Sequence, residues 1–194
     1  MKLLLATTNN DKVREIRRIL AGLDVTLLTL DDVRPIAAPE ETGRTFEDNA
    51  RLKAVAYATA CNCLAVAEDS GLEIDALGGL PGIESARFGG EHMSYPEKFR
   101  LLYAAGAAGS SARFVCALSL AQGDRVIFTA RGVVEGRIAP APAGDGGFGY
   151  DPIFFYPPFG QTLAQAAARK SEVSHRAQAF YQLREFLESS VRVR

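Results

Sequence analysis

Histidine and cysteine are scarce in this sequence, and their scarcity narrows the classes of protein to consider. Its 194 residues include two histidines and three cysteines, at positions Cys61, Cys63 and Cys116. The cysteines are odd in number and lack the spacing of zinc ligands, which argues against a structural zinc site. We predict that all three are buried or half-buried free thiols in a reducing compartment.

The chain also lacks a long apolar run and an excess of charge of one sign. The opening run Met1–Ala6 is too short for the core of a signal peptide, and no stretch approaches the roughly 18 apolar residues of a membrane span. Lysine and arginine total 22 against 23 acidic residues, a formal net charge of -1. Such a protein has no basic field for a nucleic-acid backbone. We therefore expect a cytoplasmic protein with no membrane and no polymeric nucleic acid as partner, although a local pocket could still bind a small anion.

Strand and helix patterns alternate along a chain of single-domain length. The segment after the first strand has helical periodicity, because Val13, Ile16 and Ile19 would share one face of a helix. Two strand patterns flank Ala121–Asp124, a strong hairpin signal. We predict one domain over residues 1–194, of the α/β class with a mixed sheet. The predicted strands are 2–6, 25–30, 64–67, 113–120 and 125–134, and the predicted helices are those near 10–20, 45–60, 95–105 and 174–187.

The first candidate site lies at the junction between the first strand and the first helix. A helix N-terminus presents unpaired N–H groups and a partial positive charge, which suit a bound anion. Hydroxyls, amides and one lysine add donors here, without the pattern of a P-loop. Simple helix capping by Asn9 or Asn10 is the competing interpretation. The residues concerned are Thr7, Thr8, Asn9, Asn10, Asp11 and Lys12.

The second candidate is the acidic segment Glu68-Asp69-Ser70, which directly follows a short apolar strand. The carboxyl ends of strands are where α/β proteins place their sites. Together with Glu40 or Glu41 upstream, these acids could hold Mg²⁺, which prefers oxygen ligands, and a carboxylate could activate water. A solvated turn with a capping acid is the alternative.

Two further candidates lie in the second half of the chain. Glycines surround Phe148 in Gly144–Pro152, so the ring could stack on a base, or it could instead be part of the core. Lys170 precedes His175 and Arg176 at the start of the last helix, where they could donate to a ligand or simply form a capped, charged helix start. Together the four candidates supply a phosphate site, metal ligands, an aromatic platform and donors to a base.

Five motifs of the chain resemble those of the inosine triphosphate pyrophosphatase family, also called the dITP/XTP pyrophosphatases. In chain order they are ATTNNDKVREI, EETGRTFEDNARLKA, AEDSGLEIDALGGLPGIESARF, GGFGYDPIFF and KSEVSHR. The resemblance extends from Leu4 to about Ala179. It implies an elongated mixed β-sheet flanked by helices, with two lobes around a central substrate cleft, and a homodimer. It also implies Mg²⁺-dependent hydrolysis of ITP, dITP and XTP between the α- and β-phosphates, which removes them from the nucleotide pool.

The resemblance also implies roles for individual residues. Asp69 corresponds to the general base and a metal ligand, and Glu40 or Glu41 to the other metal ligand. Phe148 is expected to stack on the purine. The segment from Thr7 to Lys12, with Ser70, is expected to bind the triphosphate, with Lys53 and Arg87 as secondary contacts. The remaining expected nucleotide contacts are Gly149, Tyr150, Asp151, Lys170, His175 and Arg176.

The chain departs from the family pattern at two places. Glu68 replaces an aspartate, and no acid occurs between Gln165 and Arg169 ahead of Lys170.

Two other functions compete with the one that the resemblance implies. One alternative is a pyrophosphatase for other modified nucleotides, such as the septum-formation inhibitor proteins. The other is a nucleotide-binding module without catalysis. The SHR and GFGYDP motifs argue against the first, and Asp69 with Lys12 against the second.

Overall fold

The computed structural model describes residues 1–191, which form a seven-stranded sheet and four α-helices. The strand order is β2-β1-β3-β4-β5-β6-β7. The strands are β1 (Lys2–Leu5), β2 (Thr26–Leu28), β3 (Leu64–Ile74), β4 (Ser111–Gln122), β5 (Arg125–Ile138), β6 (Phe154–Tyr156) and β7 (Gln161–Thr162). The helices are α1 (Asn10–Ile19), α2 (Phe46–Cys61), α3 (Tyr95–Ala104) and α4 (His175–Val191). No helix in this part of the chain is long and apolar enough to cross a membrane.

The sheet is mixed, as the sequence predicts. Strand β1 pairs in parallel with β2 and β3, whereas β6 is antiparallel to both β5 and β7. The hairpin signal is also confirmed, because β4 and β5 are neighbours joined through Gly123 and Asp124. The α/β class with a mixed sheet and flanking helices is therefore confirmed.

The chain divides into two compact units. The first comprises Met1–Asp69, Cys116–Gly132 and the segment that begins at His175; the second comprises Ser70–Val115 and Val133–Ser174. The boundaries between the units fall within β3, β4 and β5 and at the start of α4. The single domain predicted over residues 1–194 stays a prediction.

The first unit has two hydrophobic clusters. In one, Val13, Ile16 and Ile19 of α1 pack with Phe180 and Leu183 of α4. Their spacing of three residues places the apolar side chains on one face of each helix, so that both helices bury that face. The second cluster contains Ala54, Tyr57 and Ala58 of α2 together with Leu4 and Ala65 of the sheet. Both clusters support the strands that carry the acidic residues.

The second unit has a cluster of its own, which combines aliphatic and aromatic side chains. Phe114 and Phe154 lie with ring centroids 4.5 Å apart. Tyr150 contacts Tyr95 edge to face at 5.2 Å, and Phe99 lies beside it. Aromatic pairs of this kind prefer tilted or edge-to-face geometry because of their ring quadrupoles. Through these contacts Tyr150 anchors the glycine-rich segment Gly144–Pro152 to α3.

The strand predicted over residues 64–67 is too short, and the alternative interpretation of the acidic segment as a solvated turn is wrong. Strand β3 continues through Glu68, Asp69 and Ser70 and ends only at Ile74. Gly71 does not interrupt it, since its backbone is not in the positive-φ region. The composition of the segment is typical of a turn, but cationic side chains on other elements neutralise both acids. That neutralisation allows an extended strand to carry them in the interior.

The prediction of three free thiols holds for Cys116 alone, which is free and buried. Cys61 and Cys63 instead form a disulfide at the end of α2. Asn62 between them adopts a left-handed conformation as the C-cap, with φ of 49°. This places the two Cα atoms 5.3 Å apart, within the range that a disulfide spans.

Candidate active site

Asp69 is the centre of a buried polar cluster in the first unit. Lys53 donates to Asp69 Oδ1 at 3.1 Å and to Glu41 Oε1 at 2.7 Å, and Asn49 Nδ2 donates to Asp69 Oδ2 at 3.1 Å. Asn49 and Lys53 are four residues apart on α2 and therefore share one face of the helix. Two carboxylates thus converge on one ammonium group.

The start of α2 explains how Glu41 reaches this cluster. Thr45 is the N-cap, and its hydroxyl accepts a hydrogen bond from Asp48 N at 3.1 Å. Gly43 N donates to Asn49 Oδ1 at 2.8 Å, which folds the preceding segment back over the helix. A Cβ at Gly43 would lie 2.6 Å from the same Asn49 oxygen, so only glycine allows this approach. The fold-back carries Glu41 to Lys53.

Burial sets the protonation behaviour of Asp69. Burial raises the pKa of Asp69 above its ordinary value, and Lys53 and Asn49 oppose that increase only in part. The pKa of Lys53 is raised, since the attraction of Asp69 and Glu41 outweighs the opposing effect of burial. Lys53 therefore stays cationic, and Asp69 is a more basic carboxylate than an exposed one.

Glu40 and Glu41 are separated by the structure. Glu41 contacts Lys53, whereas Glu40 is exposed and its side chain is not part of the cluster. Within residues 1–191, no group of three or more His, Cys, Asp and Glu side chains converges as a metal site would require. Of these two acids, Glu41 is the one that lies beside the Lys53–Asp69 ion pair.

The residues before α1 form a capped helix N-terminus. Asn9 is the N-cap, and its Oδ1 accepts hydrogen bonds from Asp11 N at 2.9 Å and from Lys12 N at 3.2 Å. Thr7 Oγ1 accepts from Asn9 N at 3.2 Å. Thr8 and Asn10 are exposed, and Asp11 pairs with Arg14. The capping interpretation is therefore correct for Asn9, while phosphate binding by this segment stays a prediction.

Lys12 and Arg176 belong to a second charged cluster of the first unit, whose centre is Glu68. Lys12 Nζ lies 2.7 Å from Glu68 Oε1, and Arg176 Nε donates to Glu68 Oε2 at 3.1 Å. Arg176 Nη1 also donates to Glu15 at 2.9 Å. The side chain of Arg176 is only 1% exposed and pairs with two protein carboxylates, Glu15 and Glu68.

His175 occupies a buried position beside Arg176 at the start of α4. Its backbone carbonyl lies close to Gly132, where any Cβ would clash with it. The glycine at this position therefore allows α4 to begin directly against β5.

In the second unit, Lys170 and Asp151 form a buried ion pair beside Phe148. Lys170 Nζ lies 2.5 Å from Asp151 Oδ2 and 4.2 Å from the centroid of the Phe148 ring. The same Asp151 oxygen accepts from Phe148 N at 2.8 Å. A single carboxylate thus fixes both the backbone and the cation that contacts the ring.

The glycines around Phe148 make this arrangement possible. Gly147 and Gly149 have φ of 70° and 69°, a conformation that favours glycine. Tyr150 is buried, and its hydroxyl donates to the carbonyl of Ser85 at 2.8 Å. Burial raises the pKa of Tyr150, so the hydroxyl stays protonated. Ser70, the first residue of this unit, is half-buried.

The structure therefore brings the predicted residues together in three groups. Asp69 lies with Glu41, Lys12 lies with Arg176, and Phe148 lies with Asp151 and Lys170. The sequence did not point to two members of these groups, Asn49 and Cys116, and it placed Glu68 with the metal-binding acids rather than with Lys12 and Arg176. The spacing of Asn49 and Lys53 on a predicted helix was a usable signal for the first. No signal in the sequence indicates that Cys116 faces a carboxylate.

These features define an α/β enzyme in which buried acids are matched by lysine and arginine. A model of the Ham1 family matches residues 3–186. A dITP/XTP pyrophosphatase of Gloeobacter violaceus is 47% identical over 186 residues, covering 93% of this chain and 91% of the relative. Another from Thermus thermophilus is 46% identical, covering 95% of this chain and 91% of the relative.

Solved structures agree with the sequence comparison. The Ham1 protein of Staphylococcus aureus superimposes with a TM-score of 0.88 at 39% identity, over 98% of this chain and 100% of that one. A HAM1 protein of Coxiella burnetii gives a TM-score of 0.88 at 35% identity, over 97% of this chain and 99% of that one. The chain belongs to the Ham1 family.

Proposed function

We propose that this enzyme hydrolyses the deaminated purine nucleotides dITP, ITP and XTP to the monophosphate and pyrophosphate, removing them from the nucleotide pool. The oxygen of a water molecule bonds to the α-phosphorus. The bond from that phosphorus to the oxygen bridging to the β-phosphate breaks, and pyrophosphate leaves with the bonding electrons. The proton of the water passes to Asp69. The family and the names of its members support the substrate class, and the buried Asp69 cluster carries the chemistry.

Asp69 has the properties of a general base. Its raised pKa makes it a better proton acceptor than an exposed aspartate. Asn49 and Lys53 each occupy one of its oxygens, and each oxygen retains a further lone pair for water. The same contacts fix the orientation of the carboxylate before substrate arrives, which supports a positioned base.

Glu41 and Asp69 are the residues that we propose to hold Mg²⁺. The donor set fits this ion, since two carboxylate oxygens already converge on one positive charge, that of Lys53. Mg²⁺ commonly uses one or two carboxylates and completes its shell with water and substrate phosphates. When bound, it would offset the negative charge that develops on the phosphates.

The triphosphate contacts are proposed for the start of α1. Lys12 supplies a positive charge there, and its side chain is 20% exposed, so it can reach a ligand. The exposed hydroxyl of Thr8 and the amide of Asn10 add donors. Lys53 and Arg87 stay predicted secondary contacts. The remaining residues proposed for this role are Thr7, Asn9, Asp11 and Ser70.

The base contacts are proposed for the second unit. Phe148 would stack on the purine, and such stacking contributes roughly 1–3 kcal/mol for any base. Lys170 holds the ring from one side by its cation–π contact. Gly149, Tyr150 and Asp151 would shape the same loop around the base.

Selectivity for deaminated purines would come from donors facing the 6-oxo group. Adenine presents a 6-amino donor at this edge, so buried N–H donors would be left facing another donor, which is costly. We infer that the donors to the 6-oxo group are His175, Arg176 and backbone N–H groups. Arg176 is engaged with Glu68 and Glu15, so its part in this role is tested by the ITP-to-ATP rate ratio of Arg176→Ala. An unchanged ratio would remove Arg176 from base recognition.

A nucleotide panel tests the proposed activity. Pyrophosphate release is measured with dITP, ITP, XTP, GTP and ATP, in Mg²⁺ and in excess chelator, and orthophosphate is measured in parallel. We expect pyrophosphate from the first three nucleotides, in Mg²⁺ only. A preference for modified pyrimidine or methylated nucleotides would replace the proposed substrate class. Binding without any hydrolysis would identify a nucleotide-binding module.

Two further properties are proposed, namely a homodimer on the basis of the family resemblance and a location in the cytoplasm on the basis of the sequence composition. Sedimentation of the purified protein tests the first. A mass of one chain at micromolar concentration would contradict it. The fractionation of cells that express the chain at its native level tests the second.

A further inference from the structure

The carboxylate of Glu68 connects the interior of the first unit to Lys12. Its Oε2 accepts hydrogen bonds from Cys116 Sγ at 2.8 Å and from Arg176 Nε at 3.1 Å, while its Oε1 lies 2.7 Å from Lys12 Nζ. The side chain of Glu68 is 2% exposed, and that of Lys12 is 20% exposed. One oxygen therefore faces interior donors, and the other holds a lysine that reaches the surface.

The charges of this cluster define which of its groups donate. Two cations contact the Glu68 carboxylate, Lys12 at 2.7 Å from Oε1 and Arg176 at 3.1 Å from Oε2. Burial, followed by the charge of Glu68, raises the pKa of Cys116 well above that of a free thiol. Cys116 is therefore a protonated thiol, and its S–H group donates to the Glu68 oxygen 2.8 Å away.

We propose that Cys116 is a positioning residue that acts through Glu68 to hold Lys12 for the triphosphate. With Arg176, its S–H group fixes the orientation of the Glu68 carboxylate, so that Oε1 points to Lys12. Cys116 contacts neither substrate nor metal in this role. The inference rests on the proposed phosphate contact of Lys12.

The consequence for binding follows from preorganisation. A lysine that is already ordered loses less side-chain entropy when a phosphate binds it. Without the thiol donor, the carboxylate can rotate, and Lys12 must be ordered by the ligand instead. The affinity for the triphosphate falls, while the hydrolytic groups around Asp69 keep their own contacts to Asn49 and Lys53.

A pair of substitutions at Cys116 separates donation from packing. Cys116→Ala removes the donor, and Cys116→Ser keeps a donor of similar size. Ser119→Ala, which removes a buried hydroxyl from the same strand, is the control. Binding of inorganic tripolyphosphate in Mg²⁺ is measured by calorimetry. We expect affinity to fall about fivefold to tenfold in Cys116→Ala, in line with the net contribution of one ordinary hydrogen bond, and to stay within about twofold in the other two variants.

A double-mutant cycle tests whether the effect passes through Lys12. In a Lys12→Met background, Cys116→Ala should not weaken tripolyphosphate binding further. The inference is overturned if it weakens binding by the same factor there, or if Cys116→Ser binds as poorly as Cys116→Ala. If Cys116→Ala does not fold, Cys116→Val serves as the variant without a donor.

The probe keeps this inference separable from the proposed activity. Tripolyphosphate carries no purine, and its binding requires no hydrolysis of dITP. If the wild-type chain shows the expected cycle but releases no pyrophosphate from dITP, only the proposed activity fails. If Lys12→Met binds tripolyphosphate as the wild type does, the positioning role fails, whatever the activity.

Discussion

Two neighbouring acids in β3 belong to different clusters. Adjacent residues of a strand point to opposite faces of the sheet. Asp69 therefore meets Asn49 and Lys53 of α2, while Glu68 meets Lys12 of α1 and Arg176 of α4. Their adjacency in sequence is no guide to a shared role. The position where Glu68 replaces the family's aspartate therefore belongs to the cluster with Lys12 and Arg176, and not to the Asp69 cluster.

The first prediction concerns Arg176, which is buried between two carboxylates. Arg176→Ala should lower the free energy of unfolding by about 3–5 kcal/mol, since it leaves buried charge without its partner. Arg113→Ala is the control, because Arg113 pairs with Asp75 and Glu135 in a more exposed position. Exposed pairs contribute roughly 0–1 kcal/mol. Urea unfolding at pH 7 measures both, and equal losses in the two variants would contradict the account.

At the scale of elements, the sequence predicts helices and long strands better than short ones. The apolar periodicity of α1 and α4 predicts both helices and their buried faces. Strands β6 and β7, with three and two residues, are too short to show any period. Strand β3 is longer than its composition indicates, since the partners that neutralise Glu68 and Asp69 are distant in sequence. The sequence could identify Asp69 as a candidate but could not identify its neighbours.

The second prediction concerns the loop that carries Phe148. Gly147→Ala should raise the KM for dITP about tenfold, because the new Cβ would collide with Asp151 Oδ2 and displace it from Lys170 and Phe148 N. Gly160→Ala is the matched control. Gly160 has φ of 65°, and no atom lies within 4 Å of a Cβ placed there. Both variants carry backbone strain of about 1–2 kcal/mol, so only the collision separates them. Equal KM values in steady-state kinetics would refute the assigned role of the loop.

The third prediction concerns the first turn of α3. Ser94 and Glu97 form a capping box, in which Glu97 accepts from Ser94 N at 3.0 Å. These hydrogen bonds lower the pKa of Glu97 below its ordinary value of 4.5. A lowered folded-state pKa adds stability above the unfolded-state value, and this is lost as pH falls. Glu97→Gln should therefore lower Tm at pH 7, and the difference should shrink below pH 4.5. A difference independent of pH in thermal unfolding would contradict this.

At the scale of the whole molecule, near-neutral composition conceals a strong internal ordering of charge. The formal net charge is -1, yet buried acids are consistently matched with buried or half-buried cations in both units. Composition alone argues against a strongly basic surface for nucleic acid. It could not indicate these internal pairs, because they join residues up to 161 positions apart. The hydrophobic clusters hold those residues in place.

The central claim is that Asp69 accepts the proton of the attacking water in a Mg²⁺-dependent hydrolysis. Asp69→Asn keeps the shape of the side chain but removes its basicity. Asp48→Asn, at an aspartate of α2 whose nearest cation is Arg51 at 3.6 Å, is the control. The most direct measurement is single-turnover pyrophosphate release from dITP in Mg²⁺, with dITP affinity measured in parallel. We predict a loss of about 10²–10⁴-fold for Asp69→Asn at nearly unchanged affinity, and no loss for Asp48→Asn. Turnover by Asp69→Asn close to that of the wild type would contradict the account.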